Sequence, residues 1–181
     1  MEFRSIYWFR NDLRLRDNLS LNKALDDSKH ILFLFIDDES NRKQTSWEFM
    51  RTDAYRETFI NQGISSLDKA LNFYGHSLHV LKGNTVEILS KIVQEHHIDT
   101  IFCEEIAASE EREQIKALKK FDVNIKSIFQ SSLFNVKQLP FDIKNMPDVF
   151  TKFRKSMELE KIEPINPEQL SDNIKNVLPI N

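Results

Sequence analysis

Five short, continuously apolar segments alternate with amphipathic segments over residues 1–130, and this alternation constrains the fold more than any other feature. The apolar segments occupy residues 5–10, 30–36, 78–81, 100–103 and 123–129. Continuous apolar runs of this length are typical of strands that are buried on both faces of a parallel sheet. The segments between them, residues 18–28, 47–74, 85–97 and 109–121, place apolar residues at helical spacing. The second of these is either one long helix or a bent pair around Gly63.

Strands that alternate with helices are joined by right-handed crossovers. The sequence therefore predicts an α/β fold, a Rossmann-like, doubly wound, five-stranded parallel sheet with helices on both faces. This domain is expected to cover residues 1–130.

The rest of the chain differs in character. Residues 131–160 form an extension in which Pro147 is placed to start a helix over residues 148–160, with Phe150 and Phe153 on its apolar stripe. If the sheet covers that stripe it is core, and otherwise it is a docking surface for another domain. Residues 161–181 contain Pro164, Pro167 and Pro179 and are predicted to be linker rather than core.

Composition excludes several classes of function. The formal net charge is -3, which argues against a dedicated nucleic-acid-binding module. Only three glycines are present, and no glycine-rich phosphate loop occurs. The histidines and the single cysteine, Cys103, show no metal-ligand spacing, so we assign no metal site and no catalytic residue. A lone thiol and the absence of a signal peptide or long apolar span make a cytoplasmic location, with no membrane partner, the expectation.

A crowded polar loop follows the first predicted strand. It contains Arg10, Asp12, Arg14, Asp17 and Asn18. Two interpretations are open. The loop either binds a phosphate, a ribose or a partner domain through charge-assisted hydrogen bonds, or the arginines pair with the two acids while Asn18 caps the next helix.

Acidic residues also follow the second and fourth predicted strands. In a dinucleotide-binding fold an acid within residues 37–39 would accept a ribose hydroxyl, whereas a solvated turn explains the same residues more simply. After the fourth strand, Ser109 is expected to cap a helix whose first turn holds Glu110. Glu105 at the strand exit is placed to accept N–H donors from a pterin-like ring.

Several strings together resemble one known family. Residues 7–18, which read YWFRNDLRLRDN, are similar to the opening signature of the photolyase/cryptochrome family. Supporting matches are Arg56 with the following Phe59-Ile60, the pattern Gly75…Leu78…Gly83-Asn84, and the fourth strand with its acidic continuation. Residues 147–155, which read PDVFTKFRK, most resemble the DASH branch.

The resemblance implies an N-terminal α/β antenna-chromophore domain of a DASH-like protein. In the family the antenna is often methenyltetrahydrofolate, and the resemblance implies that Glu105, or alternatively Glu110, contacts it. Residues of the polar loop (Arg10, Asp12, Arg14, Asp17 and Asn18), together with Arg56, are expected to have structural or interdomain roles.

In the family, a reduced flavin uses blue light to split cyclobutane pyrimidine dimers in DNA, mainly single-stranded DNA in DASH-like members, or it signals instead. The FAD belongs to a C-terminal helical domain, toward which residues 161–181 are expected to lead. This chain alone is therefore expected to be inactive in repair, although the family's enzymes are carbon-carbon lyases.

Two alternatives from other classes stay open. One is a free-standing Rossmann-like protein that binds a nucleotide or another small molecule. The other is a non-catalytic module that docks a partner through the Phe150/Phe153 helix. The sequence leaves open the identity of the antenna, the choice between repair and photoreception, and the oligomeric state.

Overall fold

A single parallel sheet forms the centre of the molecule, which the computed structural model describes over residues 3–44 and 48–180. Its strands are β1 (Arg4–Phe9), β2 (His30–Asp38), β3 (Leu78–Gly83), β4 (Thr100–Glu104), β5 (Asn124–Ile128) and β6 (Leu178–Pro179). The strand order in the sheet is β3-β2-β1-β4-β5. β6 pairs with the first residues of β2, on the same edge of β2 that pairs with β3 later in the strand. The predicted five parallel strands are confirmed, and the short β6 was not predicted.

Helices cover both faces of this sheet, as predicted. The helices of the described residues are α1 (Leu19–Asp27), α2 (Ala54–Asn72), α3 (Thr85–His96), α4 (Ser109–Leu118) and α5 (Phe150–Leu159), with short 3-10 helices at Glu39–Arg42, Val136–Gln138, Ile143–Asn145 and Asp172–Lys175. α1 and α2 pack on one face, and α3 and α4 pack on the other.

The central strand β1 contributes to both layers of the core because successive side chains of a strand point to opposite faces. Tyr7 and Phe9 lie in the layer under α1 and α2, while Ile6 and Trp8 lie in the layer under α3 and α4. All four side chains are buried. A continuous apolar run is therefore what this position in the sheet requires.

The second helix differs from its predicted extent. It is one continuous helix through Gly63 rather than a bent pair, and it begins at Ala54, where the Asp53 side chain accepts a hydrogen bond of 2.8 Å from the backbone N–H of Arg56. This side-chain cap fixes the start of the helix. The predicted start at Trp47 lies outside the described residues.

The C-terminal strap, which we define as residues 162–180, packs against the domain. Ile174, Val177 and Ile180 are buried, and β6 extends the sheet beside β2. The ring nitrogen Nε2 of buried His76 lies 2.7 Å from the carbonyl oxygen of Ile174. The prediction that this segment lies outside the core is therefore wrong for its last residues. Its role as the connection toward a further domain stays a prediction, as do the boundaries at residues 130 and 160.

The extension carries a helix that begins later than predicted. Pro147 precedes α5 instead of starting it, because Val149 is still extended (φ -110°, ψ 125°) and the helix begins at Phe150. Met157 is the one buried residue of α5, and the Phe150 side chain is 74% exposed. The sheet therefore does not cover the Phe150/Phe153 face.

We expect Ile174→Ala to lower the free energy of unfolding by about 2–5 kcal/mol, because it removes a fully buried side chain from the core. Urea denaturation followed by circular dichroism measures this change. Ile165→Ala in the exposed part of the strap is the matched control, and its effect is expected to stay within about 0.5 kcal/mol. Equal, small effects of the two substitutions would contradict a strap that belongs to the core.

Candidate functional site

The polar loop after β1 is organised around a buried carboxylate, that of Asp12. The Tyr7 hydroxyl donates to Asp12 Oδ2 at 2.6 Å, and the amide groups of Asn18 and Gln130 donate to the same oxygen at 3.1 and 3.2 Å. The backbone N–H of Arg10 donates to Asp12 Oδ1 at 3.0 Å. A buried carboxylate is stable only when such donors surround it. The network therefore ties β1, α1 and the segment after β5 together.

Asn18 links this network to the next helix. Its Oδ1 accepts a hydrogen bond of 3.0 Å from the backbone N–H of Leu21, which makes Asn18 the N-cap of α1, as one of the two interpretations proposed. Arg14 and Asp17 lie at the surface, where the Arg14 guanidinium binds the Asp17 carbonyl oxygen at 2.9 Å and approaches its carboxylate at 3.9 Å.

Arg10 does not pair with Asp12 through its side chain. Its buried guanidinium lies 4.5 Å above the ring of Trp8 and donates to Gln114 Oε1 at 3.1 Å. Longer bonds of 3.4 Å reach the backbone carbonyl oxygens of Glu104 and Glu111. Burial lowers the pKa of Arg10 from its usual value, against the opposing effect of nearby negative groups.

A cleft opens beside this guanidinium at the carboxyl edge of β1 and β2. Its volume is about 410 Å³, within the range typical of small-molecule sites. Apolar side chains form much of its lining: Trp8, Phe9, Leu13, Phe35, Ile36, Phe59, Ile60 and Ile106. Charged side chains also line it: Arg10, Asp38, Arg51, Arg56, Glu110 and Glu111. The arrangement combines a surface for a flat ring with groups for its polar edge.

Glu110, one of the two predicted antenna contacts, lines this cleft. Its carboxylate lies 3.3 Å from the Arg51 guanidinium. The pKa of Glu110 is lowered by the free backbone N–H at the start of α4, by the Ser109 hydroxyl and by Arg51. Ser109 is not the predicted N-cap: that position is Ala108, and the Ser109 hydroxyl instead binds Glu110 Oε2 at 2.8 Å.

Glu105, the other predicted contact, is exposed and lies outside the residues that line the cleft. Arg56 does line it, and its guanidinium has no ion pair within residues 3–44 and 48–180. Arg56 therefore supplies a cation that an anionic group in the cleft can reach.

Asp38 lines the cleft but is already occupied by its own domain. Its carboxylate accepts hydrogen bonds from the backbone N–H groups of Ser40 (2.8 Å) and Thr85 (3.3 Å) and from Gln114 Nε2 (3.1 Å). Burial opposes ionisation of Asp38, but the bonds from Ser40 and Thr85 outweigh it and lower the pKa. The carboxylate thus serves mainly to hold β2, α3 and α4 together.

Among the cleft residues that the sequence analysis did not propose as contacts are Arg51, Glu111 and Gln114. The α4 residues have a recognisable signal, since positions 110, 111 and 114 share one helix face directly after a strand end. No comparable sequence signal marks Arg51, because this residue lies in an irregular segment before α2.

Comparison with known proteins gives a consistent result. The DNA photolyase family pattern matches residues 5–169. The chain belongs to the DNA photolyase family.

Its relatives include Cryptochrome DASH of Synechocystis sp., which is 33% identical over 180 residues and aligns with 94% of this chain. Cryptochrome DASH, chloroplastic/mitochondrial, of Arabidopsis thaliana is 34% identical over 161 residues, or 85% of this chain. The crystal structure of a Synechocystis sp. PCC6803 cryptochrome matches with a TM-score of 0.89 at 29% identity and covers 99% of this chain.

This photolyase-family chain corresponds to the N-terminal domain of its longer relatives. The alignments cover 37% of the Synechocystis Cryptochrome DASH and 28% of the Arabidopsis protein. Within the described residues, no helix is long and apolar enough to span a bilayer. The same residues contain no cluster of three or more potential metal ligands.

Glu104 is a second buried carboxyl group at the sheet edge of this photolyase-family domain. It is 4% exposed, and its pKa is raised first by burial and then by the nearby Asp12 carboxylate. Cys103 beside it is a free, buried thiol whose pKa burial raises to about 12. A thiol with such a pKa stays protonated and unreactive at neutral pH.

We expect Tyr7→Phe to lower the free energy of unfolding by about 1–3 kcal/mol, because it removes the shortest hydrogen bond to the buried Asp12 carboxylate. Burial, followed by the Asp12 charge, raises the pKa of Tyr7 well above 10, so the hydroxyl remains a donor at every pH used for unfolding. Urea denaturation measures the loss. Tyr55→Phe, at an exposed position of α2, is the control and is expected to change stability little. A Tyr7→Phe protein as stable as the wild type would contradict a network centred on Asp12.

We expect Glu104→Gln to alter how stability depends on pH. Because the folded-state pKa of Glu104 lies above its unfolded value of 4.5, its proton-linked stabilisation is full below pH 4.5 and is lost as pH rises through the folded pKa. The wild type should therefore lose stability relative to the variant as the pH rises from 4.5 through the folded-state pKa. Urea midpoints measured across this window test it, with the exposed Glu105→Gln as control. If the wild type instead gained stability relative to the Glu104→Gln protein as the pH rises, the raised pKa of Glu104 would be contradicted.

Proposed function

We propose that this domain binds a light-absorbing heterocycle in the carboxyl-edge cleft and acts as the antenna-chromophore domain of a DASH-like photolyase or cryptochrome. The observation that carries the proposal is the cleft itself, in a chain of the DNA photolyase family. It lies at the carboxyl edge of the sheet, where open α/β folds bind ligands.

The residues present fit methenyltetrahydrofolate. A flat ring packs favourably against an exposed aromatic side chain such as Phe59, and the cleft is large enough for a heterocycle of that size. When bound, such a folate would absorb light and pass its excitation energy to a flavin.

The polar groups of the cleft have distinct roles in this proposal. Glu110 accepts N–H donors from the ring edge, since its lowered pKa keeps it ionised at neutral pH. Arg56 binds the carboxylate of the folate tail, because it has no ion pair among the described residues. Arg10 holds the wall of the cleft through Trp8 and Gln114. Glu105 is the less suitable contact, since it lies outside the lining.

The light-driven chemistry is proposed to belong to the part of the relatives that this chain does not match. That part is 63% of the Synechocystis Cryptochrome DASH, since the alignment covers the other 37%. FAD and a single-stranded DNA lesion would be bound there, in the full-length context, for repair of pyrimidine dimers or for photoreception. We infer a cytoplasmic location, which is supported by the free, buried thiol of Cys103.

A free-standing nucleotide-binding protein is less well supported. The loop between β1 and α1 contains no glycine, so it offers no close backbone approach to a phosphate. Of the acids within residues 37–39, Asp38 lines the cleft, and it already accepts three hydrogen bonds from its own domain.

We expect the wild-type chain to bind methenyltetrahydrofolate, seen as a shift in the absorbance and fluorescence of the folate on titration. Glu110→Gln should weaken binding about tenfold, which corresponds to the loss of one charge-assisted hydrogen bond. Glu105→Gln is the matched control and should bind as the wild type does.

Titration with ATP in the same assay separates the two candidate functions. A chain that binds ATP and leaves the folate spectrum unchanged would refute the antenna proposal. Equal weakening by the two glutamate substitutions would instead refute the role given to Glu110.

A further inference from the structure

Three charged side chains form a cluster beside the carboxyl-edge cleft, which is the chromophore cleft of the proposed function. The Arg42 guanidinium donates two parallel hydrogen bonds to the Asp37 carboxylate, of 2.7 Å from Nη1 to Oδ1 and 2.6 Å from Nη2 to Oδ2. Its Nη2 also donates to Glu57 Oε1 at 3.0 Å. The bond to Asp37, followed by the bond to Glu57, raises the pKa of Arg42 above its usual value. We call these three residues the arginine clamp.

The clamp joins three segments that carry parts of the cleft. None of its members is among the described residues that line the cleft, but each is next in the chain to a residue that is. The three lining neighbours are Asp38 at the end of β2, Asn41 in the Glu39–Arg42 helix and Arg56 in the first turn of α2. A change in the spacing of these segments would therefore change the shape of the cleft.

The first turn of α2 has little other attachment to the sheet. The buried residues of this helix are Leu67 and Leu71 in its second half, whereas residues 54–59 are all exposed. Among the described residues, the clamp's bond to Glu57 is the one side-chain hydrogen bond that joins this exposed part of α2 to another element. The position of Arg56 at the cleft thus depends on the clamp rather than on core packing.

The geometry of the clamp suits a positioning role better than a stabilising one. Its side chains are between 30% and 50% exposed, and ion pairs at such a surface add little to the free energy of unfolding. The parallel bonds between a guanidinium and a carboxylate nevertheless fix direction as well as distance. Loss of the clamp should therefore displace the first turn of α2 without unfolding the domain.

We propose that Arg42 is a positioning residue of the chromophore cleft, which holds Arg56 at the distance from β2 that a ring with an anionic tail requires. Arg42 acts without contact to the ligand, because Asp37 anchors it to β2 and Glu57 passes its position on to α2. A displaced Arg56 guanidinium would align poorly with the tail carboxylate and would weaken their charge-assisted bond. The inference rests on the proposed function, in which Arg56 binds that carboxylate.

The test is titration of the full 181-residue chain with methenyltetrahydrofolate, followed by the absorbance of the folate. We expect Arg42→Gln to raise the dissociation constant about fivefold, since the bond to the tail is misaligned rather than removed. Glu57→Gln, which weakens the link to α2 and keeps the bonds to Asp37, should weaken binding in the same direction.

Arg154→Gln is the matched control. Arg154 is also an exposed arginine in an ion pair, 3.3 Å from Glu158, but it belongs to α5 and is not among the residues that line the cleft. This variant should bind the folate as the wild type does. Urea denaturation confirms that each variant is folded, and only small changes in the midpoint are expected for partly exposed ion pairs.

Double-mutant cycles show through which residue Arg42 acts. In a chain that already carries Arg56→Gln, we expect Arg42→Gln to have little further effect, because residues that act through one another are not additive. In a chain that carries Glu110→Gln, its effect should again be about fivefold, because Glu110 lies on α4 and bonds to Arg51 and Ser109 instead. A general distortion of the cleft would weaken binding in both backgrounds.

Amide hydrogen exchange of the ligand-free chain gives a second measure of the clamp. Arg42→Gln should speed exchange in the first turns of α2, since this part of the helix loses its link to β2. Arg154→Gln should leave exchange in α2 unchanged.

Three results would overturn the inference. These are equal folate affinity of the Arg42→Gln and wild-type chains, a weakening that adds in full to that of Arg56→Gln, and unchanged exchange in α2 of the Arg42→Gln chain. All three leave the proposed function intact, because the wild-type chain still binds the folate. A wild-type chain that does not bind the folate refutes the proposed function and this inference together, so the two failures are distinguishable.

Discussion

The carboxylate of Asp12 is buried where β1 leaves the sheet, and the surrounding structure is arranged to supply its hydrogen-bond donors. Those donors come from β1 itself, from the N-cap of α1 and from Gln130 after β5. Loss of one donor leaves the buried carboxyl group with fewer hydrogen bonds in a low-dielectric environment, which is more costly than loss of a surface contact. This one requirement therefore holds the β1 exit, the first helix and the far side of the sheet in a fixed arrangement.

The chromophore cleft depends on that arrangement. Because the backbone N–H of Arg10 is held by Asp12, the Arg10 guanidinium is directed over Trp8 and toward α4. Gln114 then joins Arg10 to Asp38 at the end of β2. A chain of polar contacts thus fixes one wall of a cleft whose floor is apolar. Glu110 and Arg56 are left at the cleft with charges that the domain itself does not fully use.

The errors of the sequence analysis have physical causes. The strap contains prolines and polar residues and was interpreted as linker. Ile174 and Val177 are nevertheless buried, because β6 pairs with β2, almost 150 residues earlier in the chain. Ser109 was expected to cap α4, but the backbone turns into the helix one residue sooner, at Ala108. Sequence analysis placed Glu105 ahead of Glu110 as the antenna contact, whereas Glu110 is the one that lines the cleft. Both follow β4 closely, and only the direction in which α4 leaves the sheet places Glu110 at the cleft.

The sequence by itself determined the fold class, the five main strands and the family, and it offered the capping role of Asn18 as one of two interpretations. Each depends on local information, such as apolar periodicity, one strand-exit motif or hydrogen bonds across a few residues. The tertiary structure alone decided the partner of the Arg10 side chain, the burial of the strap, the members of the cleft and the exposure of Phe150. These features depend on contacts between residues far apart in the chain, and no local pattern encodes the distance between two such residues.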